Sequence, residues 1–441
     1  MSSSYEWSLI KLGDLVEGHR GVSYQPHHLL SDHSHDAVVL LRANNIQNGR
    51  LVFSDIQVVP EAIVKTDQLL AFGDMAVCMS NGSKSLVGKS AQYKSSLSGN
   101  VTVGAFCSIF RPKQDADSGY IKQIFHSAIY QAHIDYSLAG SAINNLKNSD
   151  IESLELMVPP KFIQQKIARI LQVIDKAIEK TEALIGKYQQ IKAGLMHDLF
   201  TRGIGPDGKL RPPREQAPEL YKETPIGWIP KEWVFDTCED VCEKVIDCKN
   251  RTPPITPDGH PVIRTPNVRY GQFVDDGLVY TDTRSYSVWT ARGAPQPGDI
   301  VITREAPVGE VCKIPERHQY ACLGQRMMLY RVDREKISDD FFLYVLQSRA
   351  VQARLDLISG GSTVGHVRVG DIRTLWIFYP ESRDEQLQIA RALNHICSKL
   401  DTEASFLEAL QKQKNGLMHD LLTGKVPVQV ESEAKPEAVN A

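Results

Sequence analysis

Three stretches hold residue types that could do chemistry. "NGSKSLVGKS" at 81–90 has the glycines, lysine and serine of a phosphate-binding loop, "PHHLLSDHSHD" gathers His27, His28, His33 and His35, and Cys238, Cys242 and Cys248 lie close together. A phosphate loop needs four residues between its first glycine and the Gly-Lys pair, so that successive backbone N–H groups wrap the phosphate. Five separate Gly82 from Gly88, which argues against a nucleotide-hydrolysing P-loop enzyme. The cysteine spacing matches no common zinc pattern, and the histidines fit a polar surface loop. His197 and His419, each followed by Asp, fall near helix ends, where the helix dipole favours a cation. No nucleophile motif and no Asp/Asn-Pro-Pro-aromatic tetrapeptide is present. The expectation is a chain with no catalytic centre, no cofactor and no metal site.

What such a chain could do instead is bind. Between Asp74 and Asp115 there is no acidic residue, whereas Lys84, Lys89, Lys94, Arg111 and Lys113 fall inside, interleaved with Asn and Ser. Lys and Arg suit phosphates, and Asn, Gln, Arg and Ser suit base edges, so this composition fits a DNA face. Later in the chain Arg264, Asn267, Arg269, Arg304, Gln325 and Arg326 occupy matching regions with acids nearby. The net charge of −3 excludes a simple polycation but not a local basic face.

The elements that must position these residues come twice. "GLMHDLF" at 194–200 returns as "GLMHDLL" at 416–422, and Ile167-Ala168-Arg169 returns as Ile389-Ala390-Arg391, both 222 residues on. Upstream, "LRANNIQNG" parallels "IRTPNVRYG", "FGDMAV" parallels "PGDIVI", Glu6-Trp7 parallels Glu232-Trp233, and Gly140-Ser141 parallels Gly361-Ser362. The chain is a duplication. Its copies agree without a gap over 163–200 and 385–422, and elsewhere share only framework positions, so a common support carries two different surfaces.

The supports read as helices. Ile167, Leu171, Ile174, Ile178, Thr181, Ile185, Tyr188, Lys192, Leu195 and Leu199 follow 4-3 spacing, and Ile389 to Leu421 repeat it. That spacing keeps one seam toward a partner helix, which predicts an antiparallel coiled coil. The globular parts alternate strand-like runs ("DAVVLLRA", "GDIVITRE") with helical ones, as α/β domains do. The expected layout is a first domain at 1–160, a helix at 161–201, a linker at 202–227, a second domain at 228–380, a helix at 381–423 and a tail at 424–441, with "ESEAKPEAVNA" disordered. A length of 441 residues requires more than one core, and eight scattered cysteines read as buried thiols. With no apolar run long enough to span a bilayer, a cytoplasmic location away from membranes is expected.

Two diverged α/β domains, each followed by a copy of one long helix, resemble the specificity subunit of type I restriction-modification systems. The resemblance rests on "GDMAVCMSNGSKSLVGKSA" with "GDIVITREAPVGEVCK", Gln325-Arg326, "GSAINNLKNSDIESLELMVPP" with "GSTVGHVRVGDIRTLWIFYP", "QQKIARIL" with "EQLQIARAL", and the joint "LRPPREQAPELYKETPIGWIPKEW". It implies two target-recognition domains separated by the helix pair, each reading one part of a split, asymmetric site on double-stranded DNA. It also implies two methylation subunits and two restriction subunits as partners, which carry the catalysis. Carried to this chain, the contact residues become Asn44, Asn45, Lys84 and Lys89 in the first copy and Asn267, Arg269, Arg304 and Arg326 in the second. The loop "TREA" at 303–306 departs from the Gly/Ser/Lys-rich loop at 80–85, so roles do not transfer between halves. The alternative is a free-standing regulator or architectural protein that binds bipartite DNA.

Overall fold

A computed structural model describes residues 6–31, 36–94, 99–139, 144–360 and 365–428. The repeat pairs at 140–141 and 361–362, His33, His35 and the acidic tail lie outside those residues. The chain forms two compact units: one runs to Ala183 and resumes at Ser405, and the other is Leu184–Ala404.

In the first unit, Ser8–Lys11 pairs antiparallel with Glu155–Val158. Val16–Arg20, Cys107–Pro112, Met75–Cys78 and Ser90–Gln92 follow one another in an antiparallel four-stranded sheet. Gln57–Pro60, Ala37–Leu41 and Val101–Val103 form a third sheet, whose last pair is parallel. Helices Ser118–Phe125 and Ala128–Ala139 bury Tyr120, Ile124, Tyr130 and Ile134 against the four-stranded sheet and the strand Glu155–Val158.

The second unit repeats this order. Trp233–Thr237 pairs with Trp376–Pro380, a four-stranded sheet runs Cys242–Asp247, Met327–Val332, Ile300–Arg304, Val308–Lys313, and Val279–Thr281, His260–Ile263 and Cys322–Leu323 form the mixed sheet. Helices Asp339–Leu346 and Arg349–Ile358 follow. Side chains identical between the copies do identical jobs. Asp74 binds Arg111 and Asp299 binds Arg331, both at 2.7 Å. Gln164 accepts from the Asp117 N–H and donates to the Pro159 carbonyl, while Gln386 does the same with Ser338 and Pro380.

The expected helices are Lys161–Thr201 and Arg383–Leu422, and they pack together as an antiparallel coiled coil. Ile174 and Ile178 meet Leu410, with Leu407 and Leu417 beside them, in the first unit. In the second unit Leu199 and Phe200 share a core with Ile389 and Leu393, and the Lys399 ammonium lies 5.7 Å from the Tyr188 ring centroid. Two polar positions of the seam have partners: Thr181 donates to the Ala177 carbonyl, and Lys414 pairs with Asp175 at 2.7 Å.

Each helix starts under its own domain and ends under the other. Ile167 and Leu171 pack with Tyr120 and Ile151 of the first domain, and so do Met418, Leu421 and Leu422 from the end of the second helix. Leu199 and Phe200, from the end of the first helix, join Trp233, Phe341 and Phe378 of the second domain. This is why "GLMHDL" stands at both helix ends: the two domains offer the same seat. Both helices terminate in a left-handed glycine, Gly203 (φ 64°) and Gly424 (φ 71°). A Cβ on Gly203 would lie 2.7 Å from Trp233, and one on Gly424 would lie 3.1 Å from Trp7.

The units differ in their buried ions. In the first, Asp175 takes Lys122, Lys414 and the Gln123 amide. In the second, the linker residue Arg211 makes a two-pronged bond to Glu385 (2.6 and 2.9 Å), and the Trp233 indole donates to the same carboxylate at 3.0 Å.

All eight cysteines are free. Burial pushes the thiols of Cys238 and Cys242 up, and those of Cys107 and Cys322 to about 12, so these are packing groups. Among the described residues no helix is long and apolar enough to cross a membrane.

Candidate nucleic-acid interface

Residues 81–90 close a hairpin between the antiparallel strands Met75–Cys78 and Ser90–Gln92. A phosphate loop requires a helix N-terminus after it; here a strand follows, and the Ile134 side chain lies 2.8 Å from where a Cβ on Gly88 would stand. The geometry removes the P-loop reading.

Each domain has a cleft at the end of its four-stranded sheet, and both clefts hang on one set of backbone hydrogen bonds. Met79 N–H donates to the Phe106 carbonyl and Leu146 N–H to the Met79 carbonyl; Arg304 N–H donates to the Arg326 carbonyl and Val367 N–H to the Arg304 carbonyl. Gly104 N–H donates to Leu41 and Gly324 N–H to Ile263. Ser80 bridges Asn145 as Glu305 bridges His366. These bonds make Phe106 equivalent to Arg326, Ser80 to Glu305 and Asn145 to His366.

On that shared frame the side chains diverge. The first cleft, about 900 Å³, is lined by Ser23, Tyr24, Asn44, Asn81 and Phe106. Phe106 is 70% exposed, and the cation on this lining, Arg42, is paired with Asp55 at 2.8 Å. The second cleft, about 360 Å³, is lined by Asn250, Arg304, Glu305, Gln325, Arg326, His366 and Arg368. Glu305 Oε2 forms an ion pair with Arg326 Nε at 2.9 Å, and Oε1 lies 2.6 Å from His366 Nδ1. Beside Asn250, the Lys249 ammonium and the Arg251 guanidinium cover the Trp289 ring. One site is roomy and amide-rich with a bare aromatic ring; the other is narrow and cationic.

The expected contact residues separate accordingly. Asn44 is exposed at the first cleft, with its amide donating to Asp55, and Lys84 is exposed on the neighbouring turn Lys84–Leu86. Lys89 is half-buried. Arg304 and Arg326 are brought together at the second cleft, the former buried against the Val367 carbonyl. Arg269 is half-buried, with its guanidinium turned back onto the Thr265 and Val268 carbonyls.

Asn45 and Asn267 must be corrected. Asn45 is 1% exposed and Asn267 0%. Asn45 accepts from the Arg42 N–H and donates to the Val52 and Ser54 carbonyls; Asn267 accepts from Arg264 and donates to Val274 and Asp276. Their amides are fully occupied in closing a loop, so neither can reach a base. Tyr24, Phe106, Asn250, His366 and Arg368 escaped the sequence reading. A signal was available: Phe106 and Arg326 differ between copies while Gly104 and Gly324, just before them, do not.

A family model described as "Type I restriction modification DNA specificity domain" matches residues 5–190 and 230–412. The chain is 25% identical over 423 residues to the type I restriction enzyme EcoKI specificity subunit of Escherichia coli (strain K12), covering 94% of this chain and 87% of that protein. It is 32% identical over 185 residues to the StySPI specificity subunit of Salmonella potsdam, 42% of this chain and 40% of that one. The crystal structure of a type I restriction-modification system S subunit from M. genitalium covers 96% of this chain and 97% of its own, with a TM-score of 0.57 at 14% identity. A chain from a structural study of type I R-M complex assembly gives 0.51 at 14% identity, covering 95% and 98%. The last two are likenesses of fold.

Proposed function

The chain belongs to the type I restriction-modification DNA specificity family, and from that premise we propose that it reads a bipartite, asymmetric DNA site, one half with each cleft. In this reading the paired helices set the spacer and dock two methylation subunits, and restriction subunits join that assembly. Adenine methylation and cleavage then reside in those partners, and this chain contributes recognition alone. Its proposed contacts are Asn44, Lys84 and Lys89 in the first domain and Arg269, Arg304 and Arg326 in the second. The observation that carries the reading is the pair of clefts with one hydrogen-bonded frame and different side chains, as two readers of unlike half-sites need. A weak net charge agrees with it, because partner subunits closing on DNA can neutralise phosphates.

The test is to delete one heptad from each helix at facing levels, residues 184–190 and 398–404. Seven residues at about 1.5 Å each shorten the pair by about 10 Å, or about three base pairs at roughly 3.4 Å. Mapping methylated adenines in cells that express the chain with its methylation subunit should return both half-sites unchanged and a spacer shorter by that amount. An unaltered spacer refutes the helices as the ruler. Specific binding by the chain alone, with no methylated site, would favour the free-standing regulator.

A further inference from the structure

The second cleft contains an arrangement that no element of the reading above explains. Arg326 and His366 converge on one carboxylate, and both oxygens of Glu305 are engaged: Oε2 by Arg326 Nε and Oε1 by His366 Nδ1. Nε is the inner nitrogen of the guanidinium. With it held, the two terminal nitrogens stand side by side at the tip of the exposed side chain, and among the described residues none binds them. The main chain is fixed as well. Arg326 has φ 73°, which non-glycine residues seldom adopt, and its carbonyl accepts from Arg304 N–H at 2.9 Å.

Two coplanar donors presented end-on match a base edge that offers two acceptors. In the major groove only guanine does so; adenine, cytosine and thymine each present a donor, a lone acceptor or a methyl group in at least one of those places. The fork also explains the residue type, since lysine supplies the charge without the paired geometry. At the same turn of the first domain stands Phe106, with Ser80 and Asn145 in place of Glu305 and His366, so that cleft has no such fork.

Resting on the DNA-reading function above, we propose that Arg326 specifies a guanine in the half-site read by the second domain. Glu305, itself locked by His366, is the positioning residue that aims the guanidinium.

The experiment maps methylated adenines in cells expressing the full chain, wild type or variant, with its methylation subunit. Arg326→Lys should lose discrimination by about tenfold or more at one G·C position of the second half-site, with every other position unchanged. Arg326→Gln should shift preference at that position toward adenine, whose donor and acceptor suit an amide. Glu305→Gln should relax the same position by less. A uniform fall across all sites would make Arg326 a phosphate contact and overturn the assignment, as would relaxation at an A·T position or an effect of Glu305→Gln elsewhere. Absence of any two-part motif for the wild type sinks the underlying reading. A two-part wild-type motif whose G·C positions ignore all three variants sinks the guanine assignment alone.

Discussion

The turn that carries Phe106 and the turn that carries Arg326 are anchored by the same backbone bonds, yet one presents a hydrocarbon ring and the other a clamped cation. Duplication has preserved the groups that close loops and hold strands, and freed the side chains that face outward. The same contrast appears deeper in the molecule. Both units are held by a buried ion cluster at the helix pair, but the first uses Lys122, Asp175 and Lys414 and the second uses Arg211 and Glu385. The second cluster depends on Arg211, which lies between the two copies and not within either. Frame and function therefore separate residue by residue.

The largest effect should come from Glu385→Ala, which leaves the buried Arg211 with only the exposed Glu232 carboxylate and removes the acceptor of the Trp233 indole. A loss of about 3–5 kcal/mol is expected in denaturant unfolding, with hydrogen exchange rising in 202–235 and not in the first unit. Exchange rising equally in both would erase the contrast between their anchors. Asp175→Asn should cost about 1.5–3 kcal/mol, since the amide still accepts hydrogen bonds. This second loss is pH-dependent. Burial opposes ionisation of Asp175, but hydrogen bonds from Lys122 and Lys414 outweigh it and hold the carboxyl well below the usual carboxylate range. A depressed carboxyl contributes its full stabilisation above its unfolded value of about 3.9 and loses it as pH falls toward the folded one. The gap between wild type and Asp175→Asn should stay constant from about pH 7 to 5 and narrow below about pH 4.

Asn45→Ala and Asn267→Ala sharpen the comparison from the other side. Each removes three hydrogen bonds to backbone groups and should lower stability by about 1–3 kcal/mol, by nearly equal amounts, in urea unfolding. Clearly unequal losses would show that the loops are not equivalent. Phe106→Ala should fall at the bottom of the series, within about 0.5 kcal/mol, because the ring is exposed.

The heptad spacing and the gapless repeat made the helices and their pairing legible, and alternating apolar runs marked the strands. The asparagines show that side-chain type alone is no sign of use. Asn45 reaches carbonyls seven and nine residues ahead, a geometry that local composition does not reveal. Comparison of the copies holds the remedy: Asn45 with Asn267 and Asp74 with Asp299 are unchanged and internal, whereas Phe106 with Arg326 and Ser80 with Glu305 are changed and face a cleft. The seat of each helix end under the opposite domain was not legible either. A heptad stripe shows that a helix will pair, and says nothing about whose core its last turn completes.

That exchange of helix ends reverses the usual order of maturation on the ribosome. Leu184–Ala404 is one uninterrupted stretch and can close as soon as it has emerged, whereas the other unit lacks Met418, Leu421 and Leu422 until the second long helix has been made. At roughly 5–20 residues per second, the start of the chain waits on the order of 10–45 s for its last pieces. The portion made first is thus finished last, and during that interval the apolar seat beside Leu12 and Leu15 stands open.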